Sequence, residues 1–236
     1  MNELEVKETN TMAAPMTNSF IEGGMTAEDV VIPSVVIVQP TSTAKDEHDH
    51  LKDGGLYLST DKDMVMKPKD KLMFVPLKVV KSLQRYMNLG GETYETDKKG
   101  DWVQTITREP NVKYPSYETI THEGVEKKVV NYRCNTVYAA LLGTDTLTPV
   151  RINFKSSNFK MSMNLMGEFV KQAQAIGGEN PQLHMKFSIS TFKNQGESFY
   201  RLVTKFEGKT TEDETEKAIE QMLVVQALST MNSIED

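Results

Sequence analysis

Basic and aromatic side chains recur together through the middle of this chain. The groups are Lys78, Lys81, Arg85 and Tyr86; Trp102 and Arg108; Tyr132, Arg133 and Tyr138; Arg151, Phe154 and Lys155; and Phe192, Lys193, Tyr200 and Arg201. A strand sends successive side chains to opposite faces, so residues 149–155 (PVRINFK) place Arg151 and Lys155 on one side. Val150, Ile152 and Phe154 then take the other side. Cations that follow phosphates and rings that stack on bases are what single-stranded nucleic acid asks of a protein surface. Each stacked base contributes about 1–3 kcal/mol, and each neutralised phosphate adds salt-dependent affinity. The competing reading is plainer: the cations solvate the outer face of a sheet and the rings fill its core.

Charge is segregated in a way that favours the first reading. Residues 1–70 carry 6 Lys/Arg against 13 Asp/Glu, residues 71–205 carry 19 against 12, and residues 206–236 carry 2 against 8. The formal net charge of −6 therefore conceals a basic middle between acidic ends. A basic surface is the electrostatic footprint of a polyanion partner. Acidic flanks can compete for that surface or attract other proteins.

Other motifs carry less. Asp46-Glu47-His48-Asp49-His50 has metal-ligand residue types, but it sits in a turn and reads as a solvated acidic loop. His122 and His184 stand alone. Gly208-Lys209-Thr210 mimics the end of a phosphate-binding loop, yet position 203 is Val where that pattern needs Gly. No Ser/His/Asp or Cys/His arrangement has a recognisable local context. The single Cys134 excludes an internal disulfide and a Cys-based zinc site, and it reads as a small buried hydrophobe. The 14 Met residues read as adaptable core filler. No enzyme activity and no cofactor are expected.

The elements that must position the basic groups are mostly strands. Residues 1–28 show no period and read as a flexible arm. The run at 30–38 is β-branched but contains Pro33, which argues for an edge strand or two short strands. Residues 45–55 read as an exposed loop. Further strands are expected at 71–81, with Pro76 at a bulge or edge, and at 102–107, 129–142, 149–155, 183–192 and 199–206. Gly90-Gly91 and Lys99-Gly100 look like turns between them.

A helix is expected from Ser157 or Asn158, with Phe159, Met163, Met166, Phe169, Val170 and Ala173 at helical spacing and Gly177-Gly178 ending it. A second helix opens on the capping box Thr211-Glu212-Asp213-Glu214, with Ile219, Met222, Leu223 and Leu228 as its apolar side. Many short strands with few helices suggest a mainly β fold, a small antiparallel barrel carrying two helices. No apolar stretch approaches the roughly 18–20 residues of a membrane-spanning helix. No basic-then-apolar N-terminus marks a signal peptide, so a cytoplasmic protein is expected.

Four segments together resemble bacteriophage single-stranded-DNA-binding proteins built on an oligonucleotide-binding (OB) barrel. They are residues 32–42 (IPSVVIVQPTS), 74–82 (FVPLKVVKS), 137–165 (VYAALLGTDTLTPVRINFKSSNFKMSMNL) and 187–208 (FSISTFKNQGESFYRLVTKFEG). The resemblance implies an OB-like barrel over 29–208, after the arm at 1–28 and before an acidic helix and tail at 209–236. It implies sequence-tolerant binding of single-stranded DNA in phage replication and recombination, inside the infected host cell. It also implies no catalysis, phage or host replication proteins as partners, and scope for homo-oligomers. That class often ends in a flexible acidic tail, whereas here only Glu235-Asp236 lie beyond the expected helix.

On this reading Lys78, Lys81, Arg85, Arg133, Arg151, Lys155, Lys193 and Arg201 contact phosphates. Trp102, Tyr86, Tyr132 and Tyr200 stack on bases. The alternatives are a phage structural or host-interaction protein whose β surface is a protein interface, and a metal-dependent nuclease using Asp46–His50. The first reading predicts a steep loss of affinity with salt and little sequence preference, the second a pull-down complex without an oligonucleotide shift, and the third divalent-dependent DNA cleavage lost on His48→Ala and His50→Ala.

Overall fold

The computed structural model describes residues 31–87, 101–109 and 111–231, of which 101–105 and 229–231 are described by their backbone alone. The arm at 1–28, the turns at Gly90-Gly91 and Lys99-Gly100, and Glu235-Asp236 lie outside the described residues. Ile32–Ala227 packs as one unit. A second grouping, Met1–Val31 with Leu228–Asp236, consists mostly of residues not described.

The described residues form ten strands and three α-helices. The strands are β1 (Ser34–Ile37), β2 (Leu56–Leu58), β3 (Met64–Met66), β4 (Leu72–Met87), β5 (Asp101–Thr107), β6 (Tyr117–His122), β7 (Val125–Leu142), β8 (Val150–Lys155), β9 (Met185–Phe192) and β10 (Arg201–Lys209). The helices are α1 (Ala44–Glu47), α2 (Phe159–Ile176) and α3 (Glu212–Met231). The fold is mainly β, as expected, but α1 lies in the stretch expected to be loop.

The expected barrel is absent. All ten strands belong to one mixed sheet ordered β10-β9-β4-β7-β8-β1-β2-β3, with β5 beside β4 and β6 beside β7, and this sheet is not closed. Its mixed character comes from β1, which runs parallel to β8. The physical reason for the open form lies in β4 and β7. They are 16 and 18 residues long and pair antiparallel from Met73↔Leu142 to Met87↔Val129. This ladder takes β9 and β8 on its flanks at one end and β5 and β6 at the other, so the partners fan outward.

Two prolines behave differently from each other. Pro76 sits at a register shift between Pro76 and Lys78, the expected bulge, within a strand paired on both sides. Pro33 precedes β1, where a residue without N–H costs no ladder bond, and its carbonyl accepts from Arg151 N–H at 2.8 Å. β1 is therefore an interior strand, and the edge reading of Pro33 does not hold.

One face of the β4–β7–β8 sheet carries the main core. Phe74, Val137, Ala139, Leu141, Val150, Ile152 and Phe154 pack there with Leu165 of α2 and with Met185, Phe187 and Ile189 of β9. Phe187 anchors the centre, stacked on Phe74 at 6.0 Å and edge-on to Phe206 at 5.4 Å. The inward stripe of α2 runs Met161, Leu165, Phe169, Ala173 and Ile176. Met163 and Val170 are half-exposed instead, because Leu165 sets the helix rotation.

α3 covers a second cluster through Ala218, Met222 and Val225, against Met73, Val75, Ala140 and Leu142. Its capping box forms: Thr211 N–H donates to Glu214 Oε2 at 2.8 Å, and Glu214 N–H donates to Thr211 Oγ1 at 3.3 Å. Ile219 and Leu223, expected to face inward, are exposed, and buried Gln221 takes a place between Ala218 and Val225. Its amide donates to the carbonyl of Leu147 at 3.2 Å.

Candidate nucleic-acid interface

Alternation along β4, β7 and β8 divides the expected site between two faces. Antiparallel partners share a face. Lys78 with Tyr138, Tyr138 with Arg151, and Cys134 with Lys155 therefore lie on one face, together with Tyr86 and Tyr132. Lys81, Arg85 and Arg133 lie on the other, opposite Asn135, Asn131 and Leu83. β8 shows the expected alternation, with Arg151 and Lys155 half-exposed and Val150, Ile152 and Phe154 buried. The hairpin residues Lys193, Tyr200 and Arg201 form a third group. The twelve residues do not make one continuous site.

On the first face the groups bind one another. Lys155 Nζ donates to the Tyr86 hydroxyl and lies 4.8 Å from that ring's centroid. The same hydroxyl lies 3.2 Å from Gln84 Oε1, and the rings of Tyr86 and Tyr132 meet edge-to-face at 5.6 Å. Cys134 is buried beneath them. Burial pushes its thiol up, only partly offset by hydrogen bonds with Thr136 and Ser82 and by Lys155 and Arg108. It is a neutral thiol at physiological pH. Trp102 pairs with Tyr86 through the backbone ladder, and its side chain is outside the described residues.

The hairpin group is also committed to internal contacts. Gln39 acts as a strand would: its Nε2 donates to the Tyr200 carbonyl at 2.8 Å and its Oε1 accepts from Tyr200 N–H at 2.7 Å. Thr191 Oγ1 donates to the Gly54 carbonyl beside it. Gly54 has φ +81, and a Cβ there would come within 2.7 Å of the Tyr200 ring, so only glycine permits this contact. Lys193 lies 5.4 Å from the other partner of that contact, the Tyr200 ring centroid. Arg201 pairs with Glu197 at 2.5 Å. Asn194 and Arg201 together hold the Glu197 carboxyl below its ordinary range.

The second face is different beside the start of α2. Arg85 pairs with Glu118, but Lys81, Arg108 and Arg133 have no ion pair among the described residues. Arg108 Nη2 donates to Asn135 Oδ1 at 3.0 Å, and Asn135 Nδ2 donates to Ser162 Oγ at 2.8 Å. Ser162 Oγ donates in turn to the Phe159 carbonyl at 2.6 Å. This buried relay fixes the Arg108 guanidinium 5.5 Å from the Phe159 ring centroid. Burial, and then the nearby Arg133, push the Arg108 guanidinium below its ordinary value. The group nonetheless stays charged at neutral pH.

Arg133 and Phe159 also line a groove of about 240 Å³, together with Leu83, Tyr114, Ser116, Asn131, Tyr132 and Ser156. Asn158 does not cap α2 with its side chain. Its Oδ1 accepts instead from Leu202 N–H of β10 at 2.8 Å, tying the helix start to the sheet. The sequence reading named Arg133 and Lys81 but left Arg108 out of its set, and it gave Phe159 to the helix core. Tyr114, Asn131 and Ser156 it missed. The one available signal was the aromatic and polar run Tyr114-Pro115-Ser116 opposite a basic strand.

Among the described residues no three His, Cys, Asp or Glu side chains are grouped to hold a metal ion. His48 and His50 meet edge-on at 5.8 Å, and His50 Nε2 lies 3.0 Å from the Lys62 carbonyl. No described helix is long and apolar enough to cross a membrane. No curated protein and no solved structure matches the chain. A family model described as Pam3 phage gp34-like protein does match, over residues 6–230. That span takes in nearly the whole sequence, and the chain belongs to this family of phage proteins.

Proposed function

We infer that this phage protein is a non-catalytic binder of single-stranded DNA, tolerant of sequence and acting in phage replication or recombination. The observation that carries this reading is the trio Lys81, Arg108 and Arg133. These three cations share one region of the molecule without a carboxylate partner among the described residues, beside the rings of Phe159 and Tyr114. Unpaired cations next to aromatic rings suit a strand whose phosphates and bases are both exposed. Duplex DNA hides its base faces and fits this surface less well. No barrel is needed for such binding, since the surface and not the closure of the sheet makes the contacts.

The test is a salt titration of fluorescent oligonucleotide binding by the full chain. Affinity should fall steeply with salt, with a clear preference for single over double strands. Binding indifferent to salt, or none at low salt, sinks the reading. A second reading has an observation of its own: Ile219 and Leu223 are 45 % and 60 % exposed, one turn apart on α3. Such a pair suits a protein interface. On that reading a stable complex appears in a pull-down from infected cells, without an oligonucleotide shift.

A further inference from the structure

Two arginines near the second face are held in opposite ways. Arg85 Nη2 pairs with the Glu118 carboxylate, which neutralises it where it stands. Arg108 Nη2 donates to Asn135 Oδ1 at 3.0 Å, and that oxygen belongs to a neutral amide. The Arg108 backbone is fixed as well, its N–H donating to the Lys81 carbonyl at 3.0 Å. The titratable groups whose charges act on Arg108 are Arg133, Cys134 and Tyr114, and none of them is a carboxylate.

The holding parts are buried and the held cation is not. Asn135 and Ser162 are 1 % and 0 % exposed, whereas Arg108 is half-exposed beside the Phe159 ring. Asn135 Nδ2 donates to Ser162 Oγ, and Ser162 Oγ donates onward to the Phe159 carbonyl. This order turns the amide so that its oxygen, and not its NH2, meets the guanidinium. The bond to Asn135 spends one N–H and leaves the rest of a planar fork that matches phosphate oxygens in pairs. A cation already held in place also loses less side-chain freedom when a ligand arrives.

We propose that Asn135 is a positioning residue for DNA binding, whose amide holds Arg108 without neutralising it, so that Arg108 meets one backbone phosphate of the strand. The proposal rests on the single-stranded-DNA reading and deepens it by naming a phosphate contact that the fold prepares in advance. An aspartate at position 135 would hold the guanidinium as firmly and cancel the charge that the phosphate needs. Ser162 acts one step further back, because it keeps the donor end of the amide turned away from Arg108.

The experiment measures binding of the full chain to labelled oligo-dT of about twelve nucleotides across a salt series, with a thermal melt of each variant to confirm folding. Arg108→Ala should lower affinity about fivefold at low salt and reduce the salt slope by about 0.7, the mark of one lost phosphate contact. Asn135→Asp should do the same with Arg108 still in place. Ser162→Ala should lower affinity about threefold and leave the slope unchanged, since the cation keeps its charge and loses only its orientation. That split between affinity and slope is a readout that a merely structural role would not give. Wild-type affinity and slope in folded Asn135→Asp, or an unchanged slope in Arg108→Ala, overturns the proposal and leaves the single-stranded-DNA reading standing on Lys81 and Arg133. Where Asn135→Asp does not fold, Ser162→Ala decides, and wild-type affinity there overturns the relay. Absence of binding by the wild-type chain at low salt overturns both readings.

Discussion

The two faces of the β4–β7–β8 sheet carry basic and aromatic residues in different bonding states. On one face Lys155 is held by the Tyr86 hydroxyl, and Tyr86 is held by Gln84 and Tyr132. On the other, Arg108 is positioned by a buried relay through Asn135 and Ser162, and no ion pair neutralises it or Arg133 among the described residues. Residue type is the same in both places. What differs is how the cation is held: Lys155 donates to a tyrosine hydroxyl over its ring, whereas Arg108 is fixed through the Asn135 amide and Arg133 stands exposed beside a groove.

The largest expected effect that tests this contrast is on the second face. Arg133→Ala together with Lys81→Ala should weaken oligonucleotide binding about tenfold or more at low salt. The salt slope should drop by about 0.7 for each phosphate contact removed. Fluorescence anisotropy across a salt series reads both quantities. An unchanged slope would mean that these cations do not meet phosphates.

Lys155→Met should act the other way round. Loss of a charged donor to Tyr86 from a half-exposed site should lower stability by about 1 kcal/mol, read as a shift in the urea midpoint. Oligonucleotide affinity should stay within about twofold of wild type. A large loss of affinity with unchanged stability would reverse the ranking of the two faces.

Thr211→Ala removes the α3 cap and should cost about 1 kcal/mol in the same denaturation experiment, with DNA binding unaltered. A smaller, pH-dependent effect belongs to its partner Glu214. Burial pushes that carboxyl up, but the Thr211 N–H and Lys186 outweigh it, and the net shift is downward from 4.5. A carboxyl with a depressed folded value stabilises fully above its unfolded value and loses that contribution as pH falls through the folded one. Glu214→Gln should therefore flatten the stability curve below about pH 4.5 and leave it lower at neutral pH. A wild-type curve already flat there would show that the cap carboxyl does not contribute.

Acid near the C-terminus is partly structural for the same reason. Glu214 pairs with Lys186 at 2.9 Å, and Glu207 accepts from Ser188 at 2.8 Å and from Lys71 at 3.2 Å. Ser188 and Lys71 hold the Glu207 carboxyl below its ordinary range. Removing residues 206–236 would thus strip part of β10 and all of α3, not merely an acidic shield.

Local chemistry was readable where a few neighbouring residues decide the outcome. The alternation of Val150 to Lys155, the bulge at Pro76, the end of α2 at Gly177 and the Thr211–Glu214 box all appear in the structure. Helix rotation was less readable: Met163 and Val170 of α2, and Ile219 and Leu223 of α3, are apolar yet exposed. Their rotation depends on Leu165 and Gln221 finding distant partners. The OB-like barrel is expected from many short strands with few helices and from the resemblance, and neither reports closure.

By itself the sequence determined a mainly β chain with a basic middle, because alternation, turn residues and charge are local properties. Tertiary structure alone decided that the sheet stays open, since that follows from how β4 and β7 share their flanks along a long ladder. It also decided which cations are already satisfied. Tyr86 reaches Lys155 from 69 residues away, while Asn131 and Arg133 meet Phe159 and Ser156 only across a groove that packing creates. A side chain's identity is written in the chain, but its unmet bonds exist only once its neighbours are in place.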